Sequence, residues 1–292
     1  MNAIRNYILI PVARQGLSIL SALWVVGNLT FWLLLLLLSY PISILLKLIR
    51  QSMLLERWVQ WIYRSAVRVD SAWMLKVVGI RLEVEGTLPA AQRAIVIANH
   101  QSWFDIPIVQ ELISARGPRL TFLIKDSLAW VPIIGWICVL LGFPRLRRSG
   151  STADRSADLD AVERAAIHGR DTQHALLIFT EGTRFTTAKR RNQRSPYTHL
   201  LNPKGGGLAA ACDIFPSGTP IIDIAIHYEG TSHFWHCLGG ATKTIRIKLT
   251  AHTVTPDLDP NAFLNKLWVA KDAWLRTCEA NAPNRKVGLR SD

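Results

Sequence analysis

What the chain lacks narrows it first. From Gln15 to Leu46 there is not one charged residue, and the centre of that stretch, Phe31 to Leu38, reads FWLLLLLL. About 20 apolar residues suffice to cross the hydrocarbon of a bilayer, so the stretch is a membrane segment and not a solvated surface helix. Acidic residues are also scarce, 21 Asp and Glu against 34 Lys and Arg, which leaves a net charge of +13. Cysteine is limited to Cys138, Cys212, Cys237 and Cys278, too far apart for a metal-like pair, and nothing asks for a disulfide framework. A reducing compartment fits that usage. There is no internal repeat and no low-complexity tract beyond the leucine run. The glycines of Asn202 to Gly207 (NPKGGG) are not followed by a Lys-Ser/Thr pair, which excludes a nucleotide-binding P-loop.

What is present points to a lipid surface. The chain is strongly basic, yet 49% of its 292 residues are hydrophobic. A nucleic-acid module has little use for so much apolar surface, whereas an anionic membrane attracts both properties, so no nucleic-acid partner is expected. The uncharged run could cross the bilayer once with tilt, or turn back at Gly27 and Asn28 as a re-entrant hairpin that Pro41 helps to shape. It continues past Ser39 without a small-x-small cleavage site, so it reads as a retained anchor and not as a signal peptide. Two basic residues precede it (Arg5, Arg14) and five soon follow (Lys47, Arg50, Arg57, Arg64, Arg68), which puts the main domain on the cytoplasmic side. Leu54 to Trp73 has apolar residues at helical spacing with Arg57, Arg64 and Arg68 elsewhere on the wheel. An interfacial helix and a core-facing helix with a basic outer face fit that pattern equally well.

Further along, strand-like runs alternate with helical ones. Val77 to Val84, Ala94 to Ala98, Leu120 to Lys125, Ala175 to Thr180, Pro220 to Tyr228 and Thr244 to Thr250 read as strands. Phe104 to Leu112, Asp154 to His168 and Asn261 to Ala280 read as helices. The alternation predicts an α/β fold: a central mixed β-sheet flanked by helices, with an N-terminal hydrophobic membrane-anchoring helical segment. Residues 1–75 would form the membrane anchor and interfacial helix, and residues 76–292 a catalytic domain. Ser127 to Phe143 is again uncharged but broken by Pro132 and Gly135, which predicts a buried or membrane-dipping helix shaping an apolar slot.

Chemistry concentrates at two strand ends. Asn99 to Asp105 (NHQSWFD) joins a buried run to a helix, so His100 lies in the connecting loop and Asp105 in the first helical turn. A carboxylate five positions on can fold back onto one imidazole nitrogen and leave the other free to take a proton. An isolated imidazole titrates near ~6.5, which suits a general base at neutral pH. Ser102 and Asp105 also fit a capping box, with His100 an ordinary loop residue. Glu181 to Arg184 (EGTR) repeats the arrangement at the next strand end. Gly182 lets the backbone approach a ligand, Arg184 offers a planar fork of donors for phosphate, and Glu181 either orients Arg184 or bonds a substrate hydroxyl. A solvated turn accounts for the same four residues. Arg148, Lys204 and the basic loop Lys189 to Arg194 could complete a phosphate funnel or be surface charges. His100 and Asp105 lack further clustered ligands, and His227, His233 and His236 lie together but in a strand end and a loop, so no metal is expected.

Taken together, NHQSWFD followed by FTEGTR resembles the glycerolipid acyltransferase family, of the bacterial membrane type. The family's N-H-x4-D block falls on Asn99, His100 and Asp105, and its F-x-E-G-T-R block on Phe179, Glu181, Gly182, Thr183 and Arg184. The Arg that closes its second block falls on Arg148, and the Pro that opens its fourth on Pro220. The resemblance implies transfer of a fatty acyl group from acyl-CoA or acyl-ACP to the free hydroxyl of a lysophospholipid, first of all 1-acyl-glycerol-3-phosphate, to give phosphatidic acid. It makes His100 the general base and Asp105 its orienting partner. It gives the acceptor to Glu181, Gly182, Thr183 and Arg184, with Arg148 and Lys204 as helpers, and Ser127 to Phe143 would measure the acyl chain. No cofactor is implied beyond the acyl thioester substrate, acyl carrier protein is a further candidate partner, and the implied location is a bacterial inner membrane with the catalytic domain facing the cytoplasm. Lysophosphatidylglycerol or a lyso-aminolipid is the alternative acceptor. Outside the enzyme class, the alternative is a non-catalytic protein that binds anionic lipid, a role that gives His100 and Asp105 nothing to do.

Overall fold

In the computed structural model, which describes residues 10–114, 117–146, 152–172 and 174–281, the uncharged run is one unbroken helix, α1 (Ile10–Leu38). The chain does not turn at Gly27 and Asn28. The reason is that the Asn28 amide is satisfied without breaking the helix: it donates to the Ala66 carbonyl at 3.2 Å and accepts from Trp32 Nε1 at 2.7 Å. A short helix, α2 (Tyr40–Leu48), follows with Pro41 in its first turn, where a missing N–H is tolerated. The reversal comes at Arg50, whose φ is 58°. The next helix, α3 (Ser52–Ala72), then runs antiparallel to α1, with Trp24 stacked on Trp73, Asn28 on Ala66 and Trp32 against Trp61.

Both helices lie along the flank of the domain that follows. Ser18 and Ser21 of α1 donate to the carbonyls of Trp235 and Leu238 at 2.9 and 3.0 Å. Farther along α1, Leu33 and Leu37 line a groove shared with Trp130 and Trp136. On α3, Glu56 meets His174 Nε2 at 2.6 Å and Tyr63 donates to the Leu120 carbonyl at 3.2 Å. One face of this helix is core-facing, with Ile62, Tyr63 and Val67 buried, while Leu54, Trp58 and Trp61 are exposed on another.

After a π-helical turn at Trp73–Val77 the chain enters a six-stranded sheet. Its strands are β1 (Arg81–Glu85), β2 (Ala94–Ala98), β3 (Leu120–Phe122), β6 (Ala175–Phe179), β7 (Pro220–Tyr228) and β8 (Thr244–Thr253), in the order β1-β8-β7-β2-β6-β3. A separate two-stranded pair is formed by β4 (Ile124–Lys125) and β5 (Arg145–Leu146), so the run Leu120 to Lys125 divides between two sheets. The sheet is mixed: β7, β2, β6 and β3 are parallel, β8 is antiparallel to β7 and parallel to β1. The remaining helices are α4 (Asp105–Ser114), α5 (Ile134–Leu140), α6 (Thr152–Thr172), α7 (Thr187–Asn192), α8 (Gly206–Ile214), α9 (Phe234–Leu238) and α10 (Pro260–Ala280).

The alternation of β2 builds the core. Ala94, Val96 and Ala98 face a cluster under α3 and α4, whereas Ile95 and Ile97 face a second cluster under α6, α8 and α10. A strand covered on both faces is apolar throughout, which is why AIVIA carries no polar residue. Crossovers from β2 and β6 leave in opposite directions, to β3 and to β7, and parallel sheets open a crevice beyond the strand ends at such a point. The ends of β7, β2 and β6, three neighbours, therefore share one mouth.

One buried ion pair ties α10 to the sheet. Lys271 Nζ lies 2.7 Å from Asp223 Oδ1 and 3.0 Å from the Ile224 carbonyl, with the Trp268 ring 4.3 Å away. Removing one member of such a pair strands the other charge, so Lys271→Met is expected to lower the unfolding free energy by ~3–5 kcal/mol. Replacing Asp223 with Leu in the same protein should restore most of that loss. Urea unfolding in detergent followed by circular dichroism measures both variants, and an unchanged midpoint in Lys271→Met would remove the pair from the account of stability.

Candidate active site

Asn99 fixes where β2 ends. Its side chain is fully buried and acts as one more rung of the sheet, donating to the Ile226 carbonyl at 3.0 Å and accepting the Ile226 N–H at 2.8 Å. The next residue, His100, thereby leaves the sheet beside the end of β7. Its ring lies on the Phe179 ring at the end of β6, with centroids 4.0 Å apart and planes 16° from parallel. Stacked on that ring, the imidazole is only 13% exposed.

Asp105 is the centre of the arrangement. Its Oδ2 accepts His100 Nδ1–H at 2.8 Å, the Gln101 N–H at 2.7 Å and the Ser102 N–H at 2.9 Å. Its Oδ1 accepts the Tyr228 hydroxyl at 2.6 Å. Every neighbour of this carboxylate is a donor, so Nδ1 carries the ring proton and Nε2 is left with its lone pair. Asp105 bonds the N–H of Ser102 as an N-terminal cap does, and it holds His100 as well. The capping and catalytic readings of the sequence thus describe one carboxylate. Tyr228 is the residue that sequence reasoning missed. It lies 123 positions from Asp105 in the chain, and only the adjacency of β7 and β2 brings them together. Burial, followed by the Asp105 charge, raises the Tyr228 phenol well above its usual range and keeps it a donor.

The second block has two parts with different surroundings. Glu181 points inward and is fully buried: Oε1 accepts the His100 N–H at 3.2 Å and Oε2 the Leu201 N–H at 3.3 Å. Sequence reasoning gave Glu181 to the acceptor, but its carboxylate braces the His100 loop against the segment after α7. Burial pushes its pKa up to about 8, partly offset by those two N–H groups. The Phe185 N–H closes the same bracket onto the His100 carbonyl at 2.7 Å. Gly182 turns with φ 69°, and Lys204 crosses it so closely that a Cβ there would lie 3.3 Å from Nζ. Thr183 accepts from Lys189 Nζ at 2.7 Å, and the exposed Arg184 guanidinium lies 5.0 Å over the Trp103 ring. The structure therefore gathers Lys204 and Lys189 around Gly182 and Thr183, sets Arg184 over Trp103, and joins this loop to the His100 loop through the Phe185 N–H and Glu181. Arg148 lies outside the described residues. Among the described residues no three His, Cys, Asp or Glu side chains are placed to hold a metal ion.

Two variants test the bracing. Tyr228→Phe removes one bond to a charged acceptor, worth about 1.5–3 kcal/mol, and should lower kcat by roughly tenfold or more with little change in KM. An unchanged kcat would make that hydroxyl a purely structural group. Above pH 8, where both oxygens of Glu181 accept, Glu181→Gln turns an amide NH2 toward one of the two N–H donors and loses that bond. Because the folded pKa of Glu181 is raised from 4.5 to about 8, its stabilising contribution is fully present below about 4.5 and is lost progressively as pH rises from there to about 8. Unfolding free energies measured across that window should slope downward in the wild type and lose this component in Glu181→Gln.

Comparison with known proteins places this geometry. The Acyltransferase family model matches residues 80–227, which run from just before β1 almost to the end of β7. Over 135 residues the chain is 32% identical to the 1-acyl-sn-glycerol-3-phosphate acyltransferase of Saccharomyces cerevisiae, covering 46% of this chain and 41% of that protein. Over 103 residues it is 39% identical to the lyso-ornithine lipid O-acyltransferase of Pseudomonas aeruginosa, covering 35% of each. The chain spans about half the length, or less, of the curated relatives it matches. Among solved structures, the 1-acyl-sn-glycerophosphate acyltransferase PlsC of Thermotoga maritima superposes with a TM-score of 0.60 at 20% identity, over 93% of this chain and all of that one, a likeness of fold. With half of its length matched by one family model and the paired His100 and Asp105 at the mouth of that segment, the chain belongs to the acyltransferase family.

Proposed function

We propose that the protein is a membrane-associated O-acyltransferase that moves a fatty acyl group from an acyl thioester, acyl-CoA or acyl-ACP, to the free hydroxyl of 1-acyl-glycerol-3-phosphate. The observation that carries this reading is the His100–Asp105 pair, with Nε2 unbonded among the described residues and cations gathered around Gly182 and Thr183 at the neighbouring strand end. Nε2 takes the proton of the acceptor hydroxyl as its oxygen attacks the thioester carbonyl. The imidazolium so formed is stabilised by Asp105. Collapse of the tetrahedral intermediate then breaks the carbon–sulfur bond, and the departing thiolate recovers the proton. Both substrates can be held side by side, so the step needs neither an acyl-enzyme nor a cofactor.

The cations favour a phosphate headgroup. Arg184 presents a planar fork fixed over Trp103, with Lys204 and Lys189 around Gly182 and Thr183. A lyso-ornithine lipid is the second reading, supported by the Pseudomonas aeruginosa relative. Its ammonium group would need an exposed carboxylate. The carboxylates on the two loops, Asp105 and Glu181, are both buried, and residues 185–204 contain no Asp or Glu. Phosphate therefore fits better.

Residues 1–75 serve in this reading as the membrane element and residues 76–292 as the catalytic domain. The described part of α1 is long and apolar enough to cross a membrane by composition. Its seating argues for a different attachment. It is held to the domain near its start, by Ser18 and Ser21, and near its end, beside Trp130 and Trp136, so it lies along the domain with one flank free for lipid. A helix fixed this way attaches to one leaflet. The count of basic residues before and after it then no longer compares two sides of a membrane. The cytoplasmic face of the inner membrane, where acyl thioesters are made, remains the location we propose.

Acyl transfer from a labelled thioester to a panel of lysolipids in micelles, led by 1-acyl-glycerol-3-phosphate, tests the proposal. His100→Ala should be inactive. Arg184→Ala should raise KM for the phosphate acceptor by about tenfold, equivalent to ~1.4 kcal/mol, with a smaller change in kcat. Full activity in His100→Ala, or a preference for lyso-ornithine lipid, would replace this reading.

A further inference from the structure

The segment Asp126–Leu146 is built as a wedge. A 3-10 turn (Asp126–Trp130) and α5 are joined through Val131, Pro132 and Ile133. Ile133 has φ 67° and ψ −70°, and the Ile134 N–H reaches the Pro132 carbonyl at 2.8 Å, the geometry of a tight γ-turn. A β-branched residue at positive φ costs of order 1–3 kcal/mol and persists only where the surroundings dictate it. Here Gly135 dictates it: its Cα packs against the 3-10 turn so closely that a Cβ would lie 2.3 Å from the Leu128 carbonyl oxygen.

The inner face of the wedge, with Ala129, Cys138 and Leu141, is buried. The outer face is apolar as well. Trp130 is 81% exposed and Trp136 52%, with Val131, Ile134, Val139 and Leu140 open around them. A helix apolar on both faces calls for a second apolar neighbour. Trp130, Trp136, Val139 and Leu140 line a groove of about 380 Å³ together with Leu33 and Leu37 of α1, so the outer face continues the lipid-facing flank of that helix.

Three further features select lipid over a protein partner. No charged residue lies between Ser127 and Pro144, and two tryptophans sit at the exposed end, the residue type that settles at a membrane interface. Three of the backbone donors at the tip are internally bonded, Val131 to Leu128, Ile134 to Pro132 and Gly135 to Val131, and Pro132 has no N–H, so few donors are left for an interfacial layer to meet. Finally, Lys125 and Arg145 flank the base of the wedge, Arg145 paired with Asp126 at 3.6 Å, which leaves one net positive charge where anionic headgroups would lie.

We propose that residues 126–146 form a second membrane-docking element, which seats its Trp130–Leu140 face in the interfacial layer of an anionic bilayer beside α1. The inference rests on the reading of the N-terminal helices as membrane-attached, and the test separates the two. The full chain, reconstituted in vesicles of equal phosphatidylglycerol and phosphatidylcholine, receives a nitroxide label at Ile134→Cys in the wedge or at Ile42→Cys in α2. Both positions are exposed. The native cysteines are buried or half-buried, and wild type carried through the same labelling supplies the background. At both positions collision with oxygen should exceed collision with a water-soluble nickel chelate. A label at 134 that meets the chelate while the label at 42 meets oxygen overturns the wedge and spares the N-terminal attachment. If both meet the chelate, both fall. A label at 134 shielded from both probes means that another protein surface, such as a second copy of the chain, covers the face, and this also overturns the proposal. Val131→Cys repeats the measurement if Ile134→Cys does not fold.

Discussion

The structure depends on one carboxylate accepting four donors in a place without water. Asp105 is fully buried and takes bonds from the His100 ring, two successive backbone N–H groups and the Tyr228 hydroxyl. A buried charge is tolerable only when it is met in this way. Each of those donors constrains the chain. The two N–H groups require the turn that leads into α4, the ring requires His100 to leave β2 at one point, and Tyr228 requires β7 to end at the same height. The His100–Asp105 geometry and the start of α4 are thus a single piece of structure.

The sheet order makes that possible. Asn99 locks β2 to β7 by imitating a strand residue, and Phe179 closes the other side of His100 from β6. Glu181 then joins the two loops through backbone rather than through side chains, with one oxygen for His100 and one for Leu201. Its raised pKa follows from that position. The block that reads as one motif in the sequence divides in space, with Glu181 turned into the protein and Arg184 turned out over Trp103.

Much of this was legible in the residues. AIVIA, PIIDIAI and the run before EGTR are apolar at a length that only strands covered on both faces explain, and their ends marked where polar groups would gather. The His100–Asp105 spacing named the pair. What stayed hidden depended on strand order: nothing in the chain says that β7 lies beside β2, so Tyr228 could not be joined to Asp105. Glu181 could not be turned inward for the same reason, since its partner at Leu201 is set by a loop crossing. Gly27 and Asn28 resemble a turn, but side-chain bonds to Ala66 and Trp32 keep the helix whole, and those partners come from tertiary packing. Val77 to Val84 read as one strand because its apolar pattern runs on through a π-helical turn before β1 begins at Arg81.

The last connection links membrane and catalysis. Tyr228 ends β7, and a short loop later α9 offers the Trp235 and Leu238 carbonyls that hold Ser18 and Ser21 of α1. Phe234 of α9 also meets Phe104, the neighbour of Asp105, with ring centroids 6.0 Å apart. The segment 228–238 therefore touches the Asp105 carboxylate at one end and the apolar helix at the other. In the proposed reaction a lysolipid keeps its acyl tail in the bilayer while its hydroxyl reaches His100, so the depth of the site relative to lipid has to be fixed. On that proposal the depth is set by the hydrogen bonds from α1 to α9, beside Phe104 and Tyr228, which would make α1 part of the site and not a tether to it.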